Sequence, residues 1–301
     1  MKVYVSVDLP DDLAGRIKKY AEVVGKDRAE EADAVLCFNI DRELLLRMRR
    51  LKFIQVTTAG LDHLPWEDIP PNVTVAGNAG SNAAPVAEFA VALLLTAYKK
   101  ILHYNAKMKG GDYSRDVEVP PLEGRKVAVL GLGEIGARVA RALAALGASV
   151  YGFSRTPKEG PWRFTNKLEE ALAGASAAVS ALPLTKYTRG MIKYEHLTLM
   201  AEDAVFVNVG RAEVVDKEAV ARILRERPRF VYASDVWWGR NDFGKDADII
   251  GMPNVIATPW IAGGYGSAEI RRKMLEEAVE NLIRWLRGDA PKNIARREDF
   301  V

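Results

Sequence analysis

Six residues constrain this chain more than any others: Gly131-Leu132-Gly133-Glu134-Ile135-Gly136, directly after the apolar run Val127-Ala128-Val129-Leu130. The run predicts a buried strand and the residues up to 146 predict a helix, so the glycines occupy a strand-to-helix turn. Glycine spacing carries chemical meaning only in such a context. Gly131 permits the tight turn, Gly133 lets the backbone approach a pyrophosphate, and Gly136 lets helix and strand pack closely. Glu134 and Ile135 open the helix, whose N-terminal amides and dipole attract phosphate. The block therefore predicts a dinucleotide-binding turn.

Short β-branched runs alternate with amphipathic helical segments along the rest of the chain, the pattern of βαβ units and parallel sheets covered on both faces. Strands are expected at 2–8, 34–38, 53–57 and 73–76, with helices at 11–24 and 41–49, giving one small α/β domain. After a loop at 110–124, strands at 126–130, 149–153, 177–181, 204–208, 230–234 and 255–257 make up a full dinucleotide-binding sheet. With 301 residues, about twice the usual domain size, the chain has room for two cores. The expected fold is α/β: two Rossmann-like, doubly wound parallel-sheet domains. The segment 86–102 is apolar on nearly every face in its first half, which calls for cover on both sides from a domain junction or a second subunit. A homodimer is the expected assembly. The helix 267–286 carries Ile270, Met274, Ala278, Leu282 and Trp285 at a helical period and ends before Gly288.

The net charge of +3 is dispersed rather than gathered in a basic run, so neither nucleic acid nor a membrane is expected as partner. The lone cysteine, Cys37, rules out an internal disulfide and points to a reducing, cytoplasmic compartment. Met1-Lys2-Val3-Tyr4-Val5 enters strand-like sequence directly, without the pattern of an export signal. A single glutamine, Gln55, among many Lys, Arg and Glu residues suits a thermophile. No metal site is expected.

Cofactor choice is read at the end of the second nucleotide-domain strand, where NAD-selective proteins place an acidic residue against the ribose 2′-hydroxyl. This strand ends Gly152-Phe153-Ser154-Arg155-Thr156. No carboxylate is there to repel a 2′-phosphate, Arg155 offers it paired donors, and Ser154 adds a hydroxyl. NADP(H) is therefore expected over NAD(H).

With these residues placed, the chain resembles the D-isomer-specific 2-hydroxyacid dehydrogenase family over nearly its whole length. Thr58-Ala59-Gly60-Leu61-Asp62 resembles the substrate-carboxylate loop, and Asn78-Ala79-Gly80-Ser81-Asn82 through Val86-Ala87-Glu88 the interdomain segment. Leu182-Pro183-Leu184-Thr185 with Thr188 resembles the cofactor-side loop after the third strand. Asn208-Val209-Gly210-Arg211 followed by Val215-Asp216 resembles the catalytic-arginine motif, and Ser234-Asp235-Val236 the nicotinamide-carboxamide motif. The resemblance implies a flavodoxin-like substrate domain, 1–93 plus 270–301, and a cofactor domain, 94–269, with the cleft between them. It implies that Arg211 clamps the substrate carboxylate and polarises the reacting carbonyl, that Asn82 contacts substrate, and that Asp235 accepts from the nicotinamide amide. Ala262 and Gly263 would lie on the cofactor side. On local grounds alone Asn82 is equally a helix-start residue and Asp235 a turn cap.

One departure bears on activity. The family carries Thr-Pro-His-Ile, whose histidine exchanges the substrate hydroxyl proton with the help of an acidic residue shortly after the Asp-Val pair. This chain reads Thr258-Pro259-Trp260-Ile261, and Asp235-Val236-Trp237-Trp238-Gly239 runs into Arg240 and Asn241. Loss of a general base costs about 10² to 10⁴ in rate. Formate, already an anion without a hydroxyl proton, needs no such base, and Asp235-Val236-Trp237 also resembles formate dehydrogenases, although those keep the histidine. His63, His103 and His196 match no motif, while Tyr265 and Glu213 are replacement acids to weigh. The leading expectation is NADP-linked hydride transfer to or from a 2-oxo or 2-hydroxy acid such as glyoxylate, hydroxypyruvate or glycerate. Formate oxidation and a non-catalytic NADP sensor are the alternatives.

Overall fold

The computed structural model describes residues 1–240 and 242–301. Asn241, read above beside Arg240 at the missing acidic position, lies outside the described residues. The chain divides into two compact units, Met1–Asn82 with Gly264–Val301, and Ala83–Gly263.

The chain begins β1 (Lys2–Val5), α1 (Asp11–Lys18), β2 (Glu22–Val24), β3 (Ala34–Cys37), α2 (Arg42–Arg47), β4 (Phe53–Val56) and β5 (Thr74–Ala76). Next come α3 (Ala83–Tyr98), α4 (Ile101–Lys109), β6 (Lys126–Leu130), α5 (Glu134–Ala145), β7 (Ser149–Phe153), β8 (Arg163–Thr165) and α6 (Leu168–Leu172). The remainder is β9 (Ala177–Ser180), α7 (Tyr194–Thr198), β10 (Val205–Asn208), α8 (Lys217–Glu226), β11 (Val231–Ser234), α9 (Ala247–Ile250), β12 (Val255–Ala257) and α10 (Ala268–Leu286).

The first unit is a five-stranded parallel sheet in the order β2-β1-β3-β4-β5, the flavodoxin-like order. Its strands bury alternate residues on opposite faces. Ala34, Leu36 and Phe53 meet Leu13 and Ile17 of α1 and Ala278, Val279 and Leu282 of α10, while Val35, Cys37, Ile54 and Val56 meet Leu45, Trp66 and Ile69. A buried amide pair ties α10 to this sheet: Asn281 donates to Gln55 Oε1 (2.7 Å), and Gln55 donates to the carbonyls of Val56 and Gly77. Asn281 Oδ1 also accepts from the Lys292 amide (2.6 Å).

The second unit is a seven-stranded parallel sheet in the order β12-β11-β10-β9-β6-β7-β8, with the strand order reversing at β6 and β9. Val127, Val129, Val179, Val205 and Val207 pack beneath α3 and α5 on one face. Ala128, Leu130, Phe206 and Tyr232 pack against α6, α7 and α8 on the other. These are two doubly wound α/β sheets, as the alternating pattern predicts.

The structure departs from expectation at four points. The helix expected at 11–24 ends at Lys18, because Tyr20 and Ala21 N–H close on the Ile17 carbonyl and Val23 then pairs with Val3 as an edge strand. The apolar segment 86–102 is divided between α3 and α4, because Lys100 takes a left-handed conformation (φ 53°) between them, and α4 buries no residue. The short β8, absent from the periodicity reading, forms only through pairing with β7. The unit boundaries at 82/83 and 263/264 differ from the expected 93/94 and 269/270, because α3 packs as a whole on the larger sheet.

Replacing Asn281 by Leu strands Gln55 Oε1 and the Lys292 amide. The unfolding free energy should fall by about 1–3 kcal/mol, read as a lower urea midpoint at unchanged slope.

Candidate active site

All strands of the larger sheet run parallel and in register, so their carboxyl ends lie level. Leu130 pairs with Phe153 and with Ser180, Ser180 with Asn208, Asn208 with Ser234, and Ser234 with Ala257. The residues that follow each strand therefore emerge along one edge, with the switch in strand order at its centre, where open α/β sheets bind ligands. Gly131 leaves β6 at φ +94°, a left-handed conformation that a side chain would strain. A Cβ there would also lie 3.1 Å from the Ala181 carbonyl carbon. At Gly136 a Cβ would overlap the Gly131 carbonyl, so α5 reaches the turn only because this position is bare. Gly133 differs: a Cβ there meets nothing within 4 Å. It faces an open cradle at the N-terminus of the 12-residue helix α5, which begins at Glu134 and Ile135. The turn thus fits a pyrophosphate, with tight packing beneath and free space above.

At the end of β7, Ser154 Oγ donates to the Thr156 carbonyl (2.6 Å) and the Ser154 amide to Thr165 (3.3 Å). These bonds shape a short turn from which Arg155 and Thr156 project, exposed. After β9, Leu182 is buried, and its backbone approaches so closely that a Cβ on Gly210 would lie 2.5 Å from its carbonyl oxygen. Thr188 Oγ donates to the Pro183 carbonyl (2.6 Å) and accepts from the Thr185 amide (2.9 Å). Thr185 and Thr188 are thus occupied in shaping the loop. Asn208 closes the next one, accepting from the Gly210 amide (3.1 Å) and donating to the Arg211 carbonyl (3.1 Å), while Val209 N–H pairs with the Ser180 carbonyl (3.0 Å).

Arg211 follows that turn and is half-buried, its Nη1 donating to the Gly210 carbonyl (3.0 Å). Its guanidinium lies over the indole of Trp260, 5.7 Å from the ring centroid, within cation–π range. Trp260 itself is held at φ +60°, a left-handed conformation costing a bulky residue about 1–3 kcal/mol. Asp235, 2% exposed, holds it there. Its carboxylate accepts from Thr258 Oγ1 (2.7 Å), the Ile261 amide (3.0 Å) and the Ala262 amide (2.9 Å), and its carbonyl from the Trp260 amide (3.1 Å). Three of the roughly four acceptor directions of this carboxylate are thus filled by the turn. Asp235 is a turn anchor in this structure, with one acceptor direction not taken by the turn. Ala262 and Gly263, both buried, complete the segment.

In the smaller unit, Thr58 accepts the Asn78 amide at its carbonyl (2.9 Å), and its hydroxyl donates to the Gly60 carbonyl (3.1 Å). A Cβ on Gly77 would crowd the Ala59 carbonyl, so this glycine lets the two loops approach. Asn82, half-buried, is the last residue before α3.

The three histidines are engaged locally. His63 Nε2 bonds the Phe38 carbonyl (2.6 Å), His103 pairs with Asp116 (3.0 Å), and His196 Nδ1 accepts the Lys193 amide (3.1 Å). Of the replacement acids, Glu213 pairs with Arg240 (3.3 Å), and Tyr265 is exposed. Ser180, Asn208 and Ser234 form a row of polar residues in the sheet itself, all fully buried at one register level; the motifs named Asn208 and Ser234 but passed over Ser180. Ser234 Oγ donates to the Val236 carbonyl (2.6 Å), and Asn208 also donates to Tyr232 OH (3.4 Å), whose phenol burial pushes up to about 12. The signal was available, since three apolar strands each close on one small polar residue.

A bare-glycine cradle at the switch point of a parallel sheet defines a dinucleotide-binding α/β protein. Comparison with known proteins narrows this. The model of the D-isomer specific 2-hydroxyacid dehydrogenase NAD-binding domain matches residues 91–262. Glyoxylate reductase of Aeropyrum pernix is 30% identical over 290 residues, spanning 90% of this chain and 85% of that protein. A solved structure from Pyrobaculum aerophilum, a candidate formate dehydrogenase, is 64% identical with full coverage of both chains and a TM-score of 0.96. A D-isomer specific 2-hydroxyacid dehydrogenase from Xanthobacter autotrophicus Py2, solved with NADPH and MES, is 27% identical, with 98% of each chain covered and a TM-score of 0.82. This chain belongs to the D-isomer specific 2-hydroxyacid dehydrogenase family.

Gly133 and Gly136 make separable tests of the cradle. Gly133→Val fills open space and should weaken binding of a reduced nicotinamide dinucleotide at least about tenfold by fluorescence titration, with thermal unfolding little changed. Gly136→Ala, which drives a Cβ into the turn, should lower the melting temperature as well.

Proposed function

We propose that this chain is an NADP(H)-dependent oxidoreductase moving a hydride between the nicotinamide and a small carboxylate, a 2-oxo or 2-hydroxy acid of the glyoxylate or hydroxypyruvate type. The observation that carries this reading is Arg211, a fixed guanidinium at the carboxyl edge of the sheet, beyond the glycine cradle and beside the Asp235 turn. Its planar fork suits a carboxylate and, through a second donor, a carbonyl oxygen gaining negative charge. The nicotinamide, when bound, would supply the hydride donor or acceptor. Gly131, Gly133 and Gly136 would hold its pyrophosphate with the amides of Glu134 and Ile135, and the free acceptor direction of Asp235 would take its amide. Arg155, on a strand end without a carboxylate, favours a 2′-phosphate. The glyoxylate reductase relative supports the substrate class, and the NADPH-bound relative supports the cofactor.

Trp260 favours a second reading. An indole cannot exchange a proton at working pH, and oxidation of formate needs no exchange: the C–H bond breaks, the hydride leaves, and carbon dioxide remains. The 64% identical relative from Pyrobaculum aerophilum supports this alternative.

Turnover of NADPH with glyoxylate, hydroxypyruvate and pyruvate, and of NADP with formate, decides between the readings. Arg211→Ala should lower kcat/KM about 10²- to 10³-fold on the accepted acid. Tight NADPH binding without turnover on any acid would leave a sensor instead. Arg155→Ala should cut the preference for NADP over NAD about tenfold or more; an unchanged ratio of the two affinities would remove the argument for the 2′-phosphate.

A further inference from the structure

We infer that Trp260 is a positioning residue for Arg211, its ring serving as the floor that orients the guanidinium which receives the substrate carboxylate. The inference rests on the reading of Arg211 given above and assigns a task to the residue that departs from the family pattern.

Three observations carry it. The indole is the aromatic surface against Arg211, 5.7 Å from its centroid. A guanidinium over an indole face is attracted by the ring quadrupole, and indole is the strongest of the aromatic partners. Secondly, the backbone of Trp260 stands at φ +60° although it is not glycine. A left-handed conformation at a bulky side chain persists only where its surroundings over-determine it. Here they do: the buried Asp235 takes hydrogen bonds from Thr258, Trp260, Ile261 and Ala262, four residues of one five-residue turn. Thirdly, both ends of Arg211 are fixed separately: Asn208 donates to its backbone carbonyl, and its Nη1 donates to the Gly210 carbonyl. Backbone, guanidinium edge and guanidinium face are each held by a different group.

An imidazole in the same place would offer a proton and a smaller π surface. The tryptophan exchanges proton transfer for a better-oriented cation, which suits a small anion bound through one or two oxygens. The charged neighbours agree with that exchange. Glu213, two residues from Arg211, is paired with Arg240, so the local carboxylate is compensated by a second cation.

The test uses the full chain loaded with NADPH and oxalate as a carboxylate probe that needs no turnover. Trp260→Phe keeps an aromatic floor, and Trp260→Leu keeps an apolar filler of similar backbone demand without a π face. Calorimetry should show oxalate bound about 3- to 30-fold more weakly by the Leu variant, and within about threefold of wild type by the Phe variant. NADPH affinity should stay unchanged in both. If either the glyoxylate or the formate reaction proceeds, its KM should rise in the Leu variant by a similar factor, ahead of any change in kcat. Equal oxalate affinity in wild type and the Leu variant would overturn the inference, as would equal weakening in both variants, which would mean that shape alone matters. Arg211→Ala in the same titration separates the two claims. If it leaves oxalate binding intact, the carboxylate clamp itself is wrong; if it abolishes binding while Trp260→Leu does not, only the floor is wrong. Failure of the wild-type holoprotein to bind oxalate would remove both.

Discussion

The site depends on one geometric constraint, the in-register parallel pairing of β6, β7, β9, β10, β11 and β12. Because Leu130, Phe153, Ser180, Asn208, Ser234 and Ala257 lie in consecutive pairs across the sheet, every loop after them leaves from the same edge. Parallel strands need their crossovers on the faces, and the valines and alanines of these strands supply surfaces that α3, α5, α6, α7 and α8 cover. The loops at the edge are then free to carry polar chemistry. The close approaches of Gly131 to Ala181 and of Gly210 to Leu182 draw three of these loops into contact.

On that edge the decisive interaction is the buried Asp235 carboxylate. A carboxylate taken out of water is costly unless it is hydrogen-bonded, and this one takes three bonds from donors of a single neighbouring turn. The consequence reaches beyond local satisfaction. The same bonds hold Trp260 in a backbone conformation it would not adopt alone, and the indole in turn faces Arg211. A charged residue that resembles a cofactor contact in sequence is thus also the keystone of the turn that carries the family's departure.

Much of this was legible in the residues. The glycine block, read with the strand before it and the helix after it, located the phosphate cradle, because only Gly permits φ +94° at 131 and only a missing Cβ permits the approach at 136. The alternation of apolar runs gave the class of fold. Less legible were features made by pairing rather than by local preference. Strand β2 was read as the end of a helix, and β8 is three residues long, too short for periodicity to mark. The break at Lys100 carries neither Gly nor Pro, so no local signal announced it. Thr185 and Thr188, quoted for their motif, turn out to bond one another's loop.

The sequence by itself determined which atoms are available: bare glycines after a buried strand, an arginine after an Asn-Val-Gly turn, an indole where a proton donor would stand, and no carboxylate after Phe153. These follow from composition at fixed positions, and no packing could supply a missing imidazole. Tertiary structure decided what those atoms do for one another. That Asp235 spends its lone pairs on residues 258–262, and that Arg211 rests over Trp260, are facts about segments 23 to 49 residues apart in the chain, joined by sheet registry rather than by sequence. Hydrogen bonds and ring contacts act over a few ångströms, and only the folded sheet brings such distant residues within that range.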